Sequence, residues 1–310
     1  MVDCILHSDK MKKIKASIRI ISVVIVSLVL TSCFYTDGDN ISKGKPPILQ
    51  YKLELRDENN NHYNSNELPL DFYNNEHIFS FTNFNRIDLD ISIFVLVNGK
   101  VVPFTSGDSD SYLFVNAFIP AETQVNYTIS LDVEIEMLKY KKNQLDIITV
   151  INSDRDNIDV LPLDDFFVGN CRFYLINENS QEDMSCPLVD KYISSKTAKQ
   201  KELLQGRGGY ITRLENMDDL SLTATINGEF GLTFCVKEDG IYSYFLVEQN
   251  KGVLTDDAEE SNLVYLRADE LFQKKYFMTH YKKNCIYFAV IVPLFVEDSL
   301  AFSTQRVLNV

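Results

Sequence analysis

Side chains able to do nucleophilic, acid–base or metal chemistry are sparse in this 310-residue chain, which has four histidines, six cysteines and scattered carboxylates. His62, His77 and His280 have no second histidine at helical or strand spacing, and no H-E-x-x-H zinc helix occurs. His77 falls in an alternating apolar stretch, where a histidine is expected as a hydrogen-bonded sandwich residue rather than a ligand. No G-x-S-x-G elbow exists, and Ser42-Lys43-Gly44-Lys45 matches S-x-x-K without an S-D-N or K-T-G partner. Gly206-Arg207-Gly208-Gly209 follows a predicted helix instead of opening one, so its amides do not form a phosphate cradle. Three acidic clusters remain: Asp108 with Asp110; Asp154 with Asp156 and Asp159; Asp256 and Asp257 with Glu259 and Glu260. Such oxygen ligands suit calcium between tandem domains. Asp154-x-Asp156 nevertheless lacks the glycine and distal glutamate of an EF-hand loop, and in so acidic a chain solvated loops are expected. The reading is no catalytic residue, no metal and no cofactor: not an enzyme.

The elements that would position any chemistry start from residues 11–33. Lys12, Lys13, Lys15 and Arg19 precede an apolar run at 20–30, interrupted only by Ser22 and Ser27, and the run closes on Leu30-Thr31-Ser32-Cys33. A cationic start, an apolar core and small residues before a cut site are the physics of a secretory signal. Eleven core residues are too few to span a bilayer, which needs roughly 20. Asp3 and Asp9 sit badly before a cationic segment, which predicts a translation start at Met11 rather than Met1. The ending resembles the lipobox of bacterial lipoproteins. That resemblance implies cleavage after Leu30, Thr31 and Ser32, lipidation (palmitate) of Cys33, and a cell-membrane location, lipid-anchored on the extracytoplasmic face.

Loss of residues 1–32 would leave 25 basic against 42 acidic residues, a formal charge of −17 over 278 residues. Such a surface disfavours nucleic acid and anionic head groups, and the length suggests two domains. Export permits disulfides. Cys171, Cys186, Cys235 and Cys285 allow three pairings. Cys171–Cys186 and Cys235–Cys285 are expected from proximity and strand placement, with four buried thiols as the alternative. A zinc site lacks any Cys-x-x-Cys pair.

Residues 34–47 read as a flexible tether rich in Asp, Gly, Ser and Pro. From residue 48 the period is two. Strands are predicted near 48–55, 77–81, 87–97, 101–104, 112–119, 125–135 and 145–151, with Asn98-Gly99 as a type I′ hairpin turn. The second half echoes this order: residues 75–81 recur in 227–234, 96–100 in 246–252, and Tyr140-Lys141-Lys142-Asn143 in Tyr281-Lys282-Lys283-Asn284. A strand at 173–176, a helix over 190–205 ended by Gly206, and a closing strand at 300–308 complete the reading.

The fold expected is all-β: two tandem immunoglobulin-like β-sandwiches after a signal peptide and tether. The boundaries are 1–32, 33–47, 48–157 and 158–310, with an insertion near 177–210. The function implied is a membrane-anchored, non-enzymatic binding or structural module at the cell surface, with an unknown protein or surface-polymer partner and no nucleic acid. The alternatives are a solute-binding lipoprotein of a transporter or a carboxylate-dependent hydrolase, because fold alone does not fix function.

Overall fold

A strand that packs on both faces must be apolar at nearly every position. Residues 91–97 and 285–294 meet that demand, and both are buried throughout. They become the centre of a stack of sheets. The computed structural model describes residues 49–63, 65–107, 110–152, 168–186, 193–195, 208–214, 225–249, 252–253, 262–268, 270–277, 284–296, 299–304 and 307–310.

The first half comprises β1 (Tyr51–Asp57), β2 (Glu67–Pro69), β3 (Glu76–Asn83), β4 (Leu89–Val97), β5 (Lys100–Val102), β6 (Phe104–Ser106), β7 (Ser111–Tyr112), β8 (Val115–Ile119), β9 (Gln124–Leu131), β10 (Lys142–Asn152) and β11 (Val168–Ile176). Then follow β12 (Ile193–Ser195), β13 (Gly208–Thr212), β14 (Thr225–Ile226), β15 (Glu229–Cys235), β16 (Gly240–Glu248) and β17 (Gly252–Val253). The chain closes with β18 (Leu263–Leu266), β19 (Glu270–Phe277), β20 (Cys285–Leu294), β21 (Phe302–Ser303) and β22 (Val307–Asn309). Short 3₁₀ turns lie at Leu70–Asn74 and Ile135–Leu138.

These strands form four sheets. In the first half an outer sheet, β1-β3-β9-β6-β7, faces an inner one, β2-β11-β10-β4-β5 with β8 also on β4. In the second half the inner sheet is β14-β22-β20-β16-β17, with β18 on β16 and β21 on β20, and the outer sheet is β12-β19-β15-β13. Phe79, Phe81, Ile93, Val95, Leu145 and Ile147 belong to the first sandwich core. Phe230, Phe234, Tyr244, Leu246 and Ile291 belong to the second. A third core joins the two inner sheets, with Phe94, Leu96, Ile148 and Val150 against Phe245, Val247, Val290 and Val292. Ile48–Val310 is accordingly one compact unit of four stacked layers.

The halves share a strand plan. In each, a short strand pairs parallel to the last strand of the inner sheet, β2 with β11 and β14 with β22. All other pairings of the first half are antiparallel.

Several details differ from the sequence expectations. The return strand at 101–104 is divided at Pro103, which cannot donate to a ladder; β5 stays in the inner sheet and β6 crosses to the outer one. Ile135 leaves the sixth strand for the 3₁₀ turn. Ile193, Ser194 and Ser195 form a strand paired with β19, not part of a helix, because the sheet edge overrides a polar stretch that merely permits helix. The rest of the predicted 190–205 helix lies outside the described residues. β11, within residues expected to begin the second unit, pairs along its length with β10 of the first.

Candidate functional site

A charge inside an apolar strand is the first observation that packing alone does not explain. Asp146 interrupts Leu145 and Ile147 on β10, and it is fully buried on the face of the inner sheet that meets the second half. Arg172 on β11 faces it, Nε donating to Asp146 Oδ1 at 2.8 Å. The other guanidinium donors cross the seam: Nη2 to the Pro293 carbonyl at 2.9 Å, and Nη1 to those of Ser299 at 3.0 Å and Val296 at 3.2 Å. Gln144, also buried, donates to Asp146 and to the Pro293 carbonyl, and its Oε1 accepts from the Phe295 amide at 2.6 Å. Phe295 is held at φ 58°, an uncommon conformation for a non-glycine residue, with its ring stacked 6.2 Å from Tyr174. Burial pushes the Asp146 carboxyl up, against the pull of Arg172, Gln144 and Asn170. The cluster is a polar latch between halves.

Beside the latch runs a groove of about 630 Å³, lined by Asn66 and Glu67 at the start of β2, by Asn170, Cys171 and Arg172 on β11, and by Leu300 of the second half, among others. Lys142 closes one end, paired with Glu67 at 2.9 Å and lying 4.0 Å over the Tyr174 ring. Among the residues that line it the carboxylate is Glu67, paired with Lys142, and the buried Asp146 of the latch is already engaged by Arg172. The groove therefore offers hydrogen-bonding and apolar contact rather than a pair of convergent acids.

The residues singled out in the sequence are mostly elsewhere. Leu30, Thr31, Ser32 and Cys33 lie outside the described residues, as do His280, Asp108, Asp154, Asp156, Asp159, Asp256, Asp257, Glu259 and Glu260. Asp110 accepts a hydrogen bond from the Tyr112 hydroxyl at 3.4 Å. Among the described residues no three His, Cys, Asp or Glu side chains are grouped to hold a metal ion, and no helix is long and apolar enough to cross a membrane. His77 is buried and bonded at both nitrogens, with Nδ1 2.7 Å from the Tyr63 hydroxyl and Nε2 3.0 Å from the Phe72 carbonyl. His62 sits at the surface, 3.4 Å from Glu54.

Cys171, Cys186, Cys235 and Cys285 are thiols, and the expected Cys171–Cys186 and Cys235–Cys285 disulfides do not form. Cys171 packs against the first core, where burial pushes its thiol up to about 12. Cys186 instead meets the backbone of Tyr265 on β18 in the second half. Cys235 and Cys285 are separated by strand alternation. Cys235 is on the outer face of its sheet with Leu271 and Tyr210, whereas Cys285 points into the second core.

Asp146, Gln144 and Arg172 escaped the sequence reading. Their signal was present: a carboxylate in the run Leu145-Asp146-Ile147-Ile148 and a guanidinium before Phe173-Tyr174-Leu175-Ile176.

No family model matches the chain, and no curated protein matches it. Among solved structures it is similar to red sea bream transglutaminase at 8% identity and TM-score 0.23, over 86% of this chain and 32% of that one. It is also similar to the Salmonella enterica SafA pilin in complex with the SafB chaperone, at 11% identity and TM-score 0.27, over 84% and 98%. A chaperone–tip adhesin complex of CFA/I fimbriae gives 8% identity and TM-score 0.24, over 84% and 98%. TM-scores this low carry no argument about fold or function.

Proposed function

We propose that the chain is a lipid-anchored, extracytoplasmic binding or structural module. In this reading its halves are a duplicated immunoglobulin-like β-sandwich, held to the membrane through Cys33 and engaging a protein or surface-polymer partner by surface contact. The observation that supports it most is the filled seam between the inner sheets, where Phe94 lies 5.9 Å from Phe245 and Arg172 latches Asp146 to the Pro293 carbonyl. A solute-binding lipoprotein closes two lobes over its ligand and needs a wet cleft and a hinge between them. Here that space is occupied by an apolar core, which weighs against the transporter alternative. The hydrolase alternative needs two acids at a fixed separation, and Asp146 is committed to its cation.

The test is acyl labelling of wild type and Cys33→Ala in the native host, followed by protease shaving of intact cells. Label lost in the variant, with cleavage from outside, is the expected result. Absence of label in both forms, or resistance to shaving after outer layers are opened, would overturn the address and with it the module reading.

A further inference from the structure

β11 carries an open edge. Tyr174 donates its amide to the Asn66 carbonyl at 2.7 Å, so its backbone faces β2. Strand alternation turns the amides and carbonyls of Asn170 and Arg172 to the same side. β2 pairs only with Tyr174, Leu175 and Ile176. Among the described residues nothing pairs with this edge from 168 to 173. The groove lies along it. Asn170, which lines it, has a buried Oδ1 with no hydrogen-bond partner among the described residues, and Leu300, which also lines it, is 58% exposed.

The second half gives an internal comparison. There the place of β11 along β20 is divided between β21, two residues, and β22, three residues. Short edge strands are the usual protection against unwanted pairing. β11 is nine residues long and lacks that protection over its first six.

We propose that this edge receives an extended peptide segment of a partner protein as an added strand, a reading that rests on the binding-module function and names its partner. The segment continues the line of β2 over about six residues, roughly 20 Å at strand rise. Main-chain bonds to Asn170 and Arg172 supply the attachment and exclude proline at the facing positions. Alternate side chains differ in chemistry. Those on the core side meet Cys171, Tyr51 and Leu53 at the rim of the first core and are apolar. Those on the seam side meet Leu300 and present a donor to Asn170 Oδ1, as Thr, Ser or Asn would.

The probe is a phage-displayed random dodecapeptide library selected on the full-length chain, with amide hydrogen exchange read on the best binder. Enrichment of proline-free alternating sequences is expected, with exchange at the Asn170 and Arg172 amides slowed at least tenfold by the peptide. Asn170→Pro removes an outward amide without touching the ladder to β10, and should weaken binding at least tenfold. Leu300→Asp, on an exposed side chain, should weaken it several-fold with unchanged melting. Edge amides already protected in the unliganded chain, self-association of two copies through this edge, selection of no peptide, or binding indifferent to both variants would overturn the proposal. A partner crosslinked on intact cells and still captured by Asn170→Pro would leave the module reading standing and remove only the edge.

Discussion

Arg172 and Asp146 set the largest single-residue effect expected here. A buried ion pair adds little over a well-packed apolar pair, but removing one partner strands the other charge at a cost of about 3–5 kcal/mol. Arg172→Ala should therefore lower the unfolding free energy in urea by about that amount, whereas Arg172→Met combined with Asp146→Leu should recover most of it. His77 makes a different prediction. Burial holds its imidazole below the ordinary 6.5, opposed by the Phe72 carbonyl and the charge of Asp57. Above 6.5 both folded and unfolded chains carry it neutral, so its contribution is complete. As pH falls below 6.5 the unfolded chain takes up a proton that the folded chain resists, and stability is lost through that window. Urea midpoints at pH 5.5 and 7.5 should diverge more for wild type than for His77→Phe, which keeps the ring stacked on Phe72 but cannot titrate. Equal divergence would mean that His77 takes up its proton as readily in the folded chain as in the unfolded one.

At the scale of elements, the Asn98-Gly99 turn does two jobs. Its positive φ values, 52° and 80°, close the β4–β5 hairpin as the dipeptide implied. The turn also touches the other half: Ser243 Oγ donates to the Gly99 carbonyl at 2.5 Å, and a Cβ on Gly99 would lie 2.6 Å from Ser243 Cβ. Gly107 has φ 75° but nothing within 4 Å. Gly107→Ala should thus cost about 1–2 kcal/mol from backbone strain alone, and Gly99→Ala about 2–4 kcal/mol because overpacking adds to it. Equal losses by chemical denaturation would refute the cross-seam contact. The strand echoes also need correction in register. Tyr140-Lys141-Lys142-Asn143 and its repeat align at an offset of 141, yet the faces agree at 142, where core-facing Leu145 matches Tyr287 and seam-facing Ile148 matches Val290. Asn143 is buried inside β10, whereas Asn284 precedes β20 at φ 59°. One residue of slip exchanges the faces of a strand, so the order of the echoes was informative and the identity was not.

Over the whole molecule, the same offset logic matches Phe94 with Phe245, and those equivalent residues touch across the seam. Equivalent residues in mutual contact mark an isologous interface, so the halves meet as a pseudo-twofold pair. With the third core shared between them, unfolding should be one cooperative transition, seen at one midpoint by far-UV dichroism and by tyrosine fluorescence. Phe94→Ala should lower the stability of both halves together, by about 3–5 kcal/mol, read as faster exchange of amides in β3 and β15 alike. Two resolved transitions, or an effect confined to β3, would show that the sandwiches fold independently.

Alternation and turn chemistry are local, and the sequence by itself determined what depends on them: an all-β chain, most strand positions, the Asn98-Gly99 hairpin and a repeated strand order. The double-sided apolar runs at 91–97 and 285–294 are also written in the sequence, since Phe94 and Leu96 alternate with Ile93, Val95 and Val97 and are equally apolar. What those extra faces pack against is not a local property. Only the tertiary structure decided that two sandwiches share a third core, that β11 belongs to the first inner sheet, that Arg172 and Asp146 meet, and that Cys235 and Cys285 face apart. Each of these depends on which strand lies beside which, and strand neighbours are chosen by the burial of whole faces rather than by the residues of any one strand.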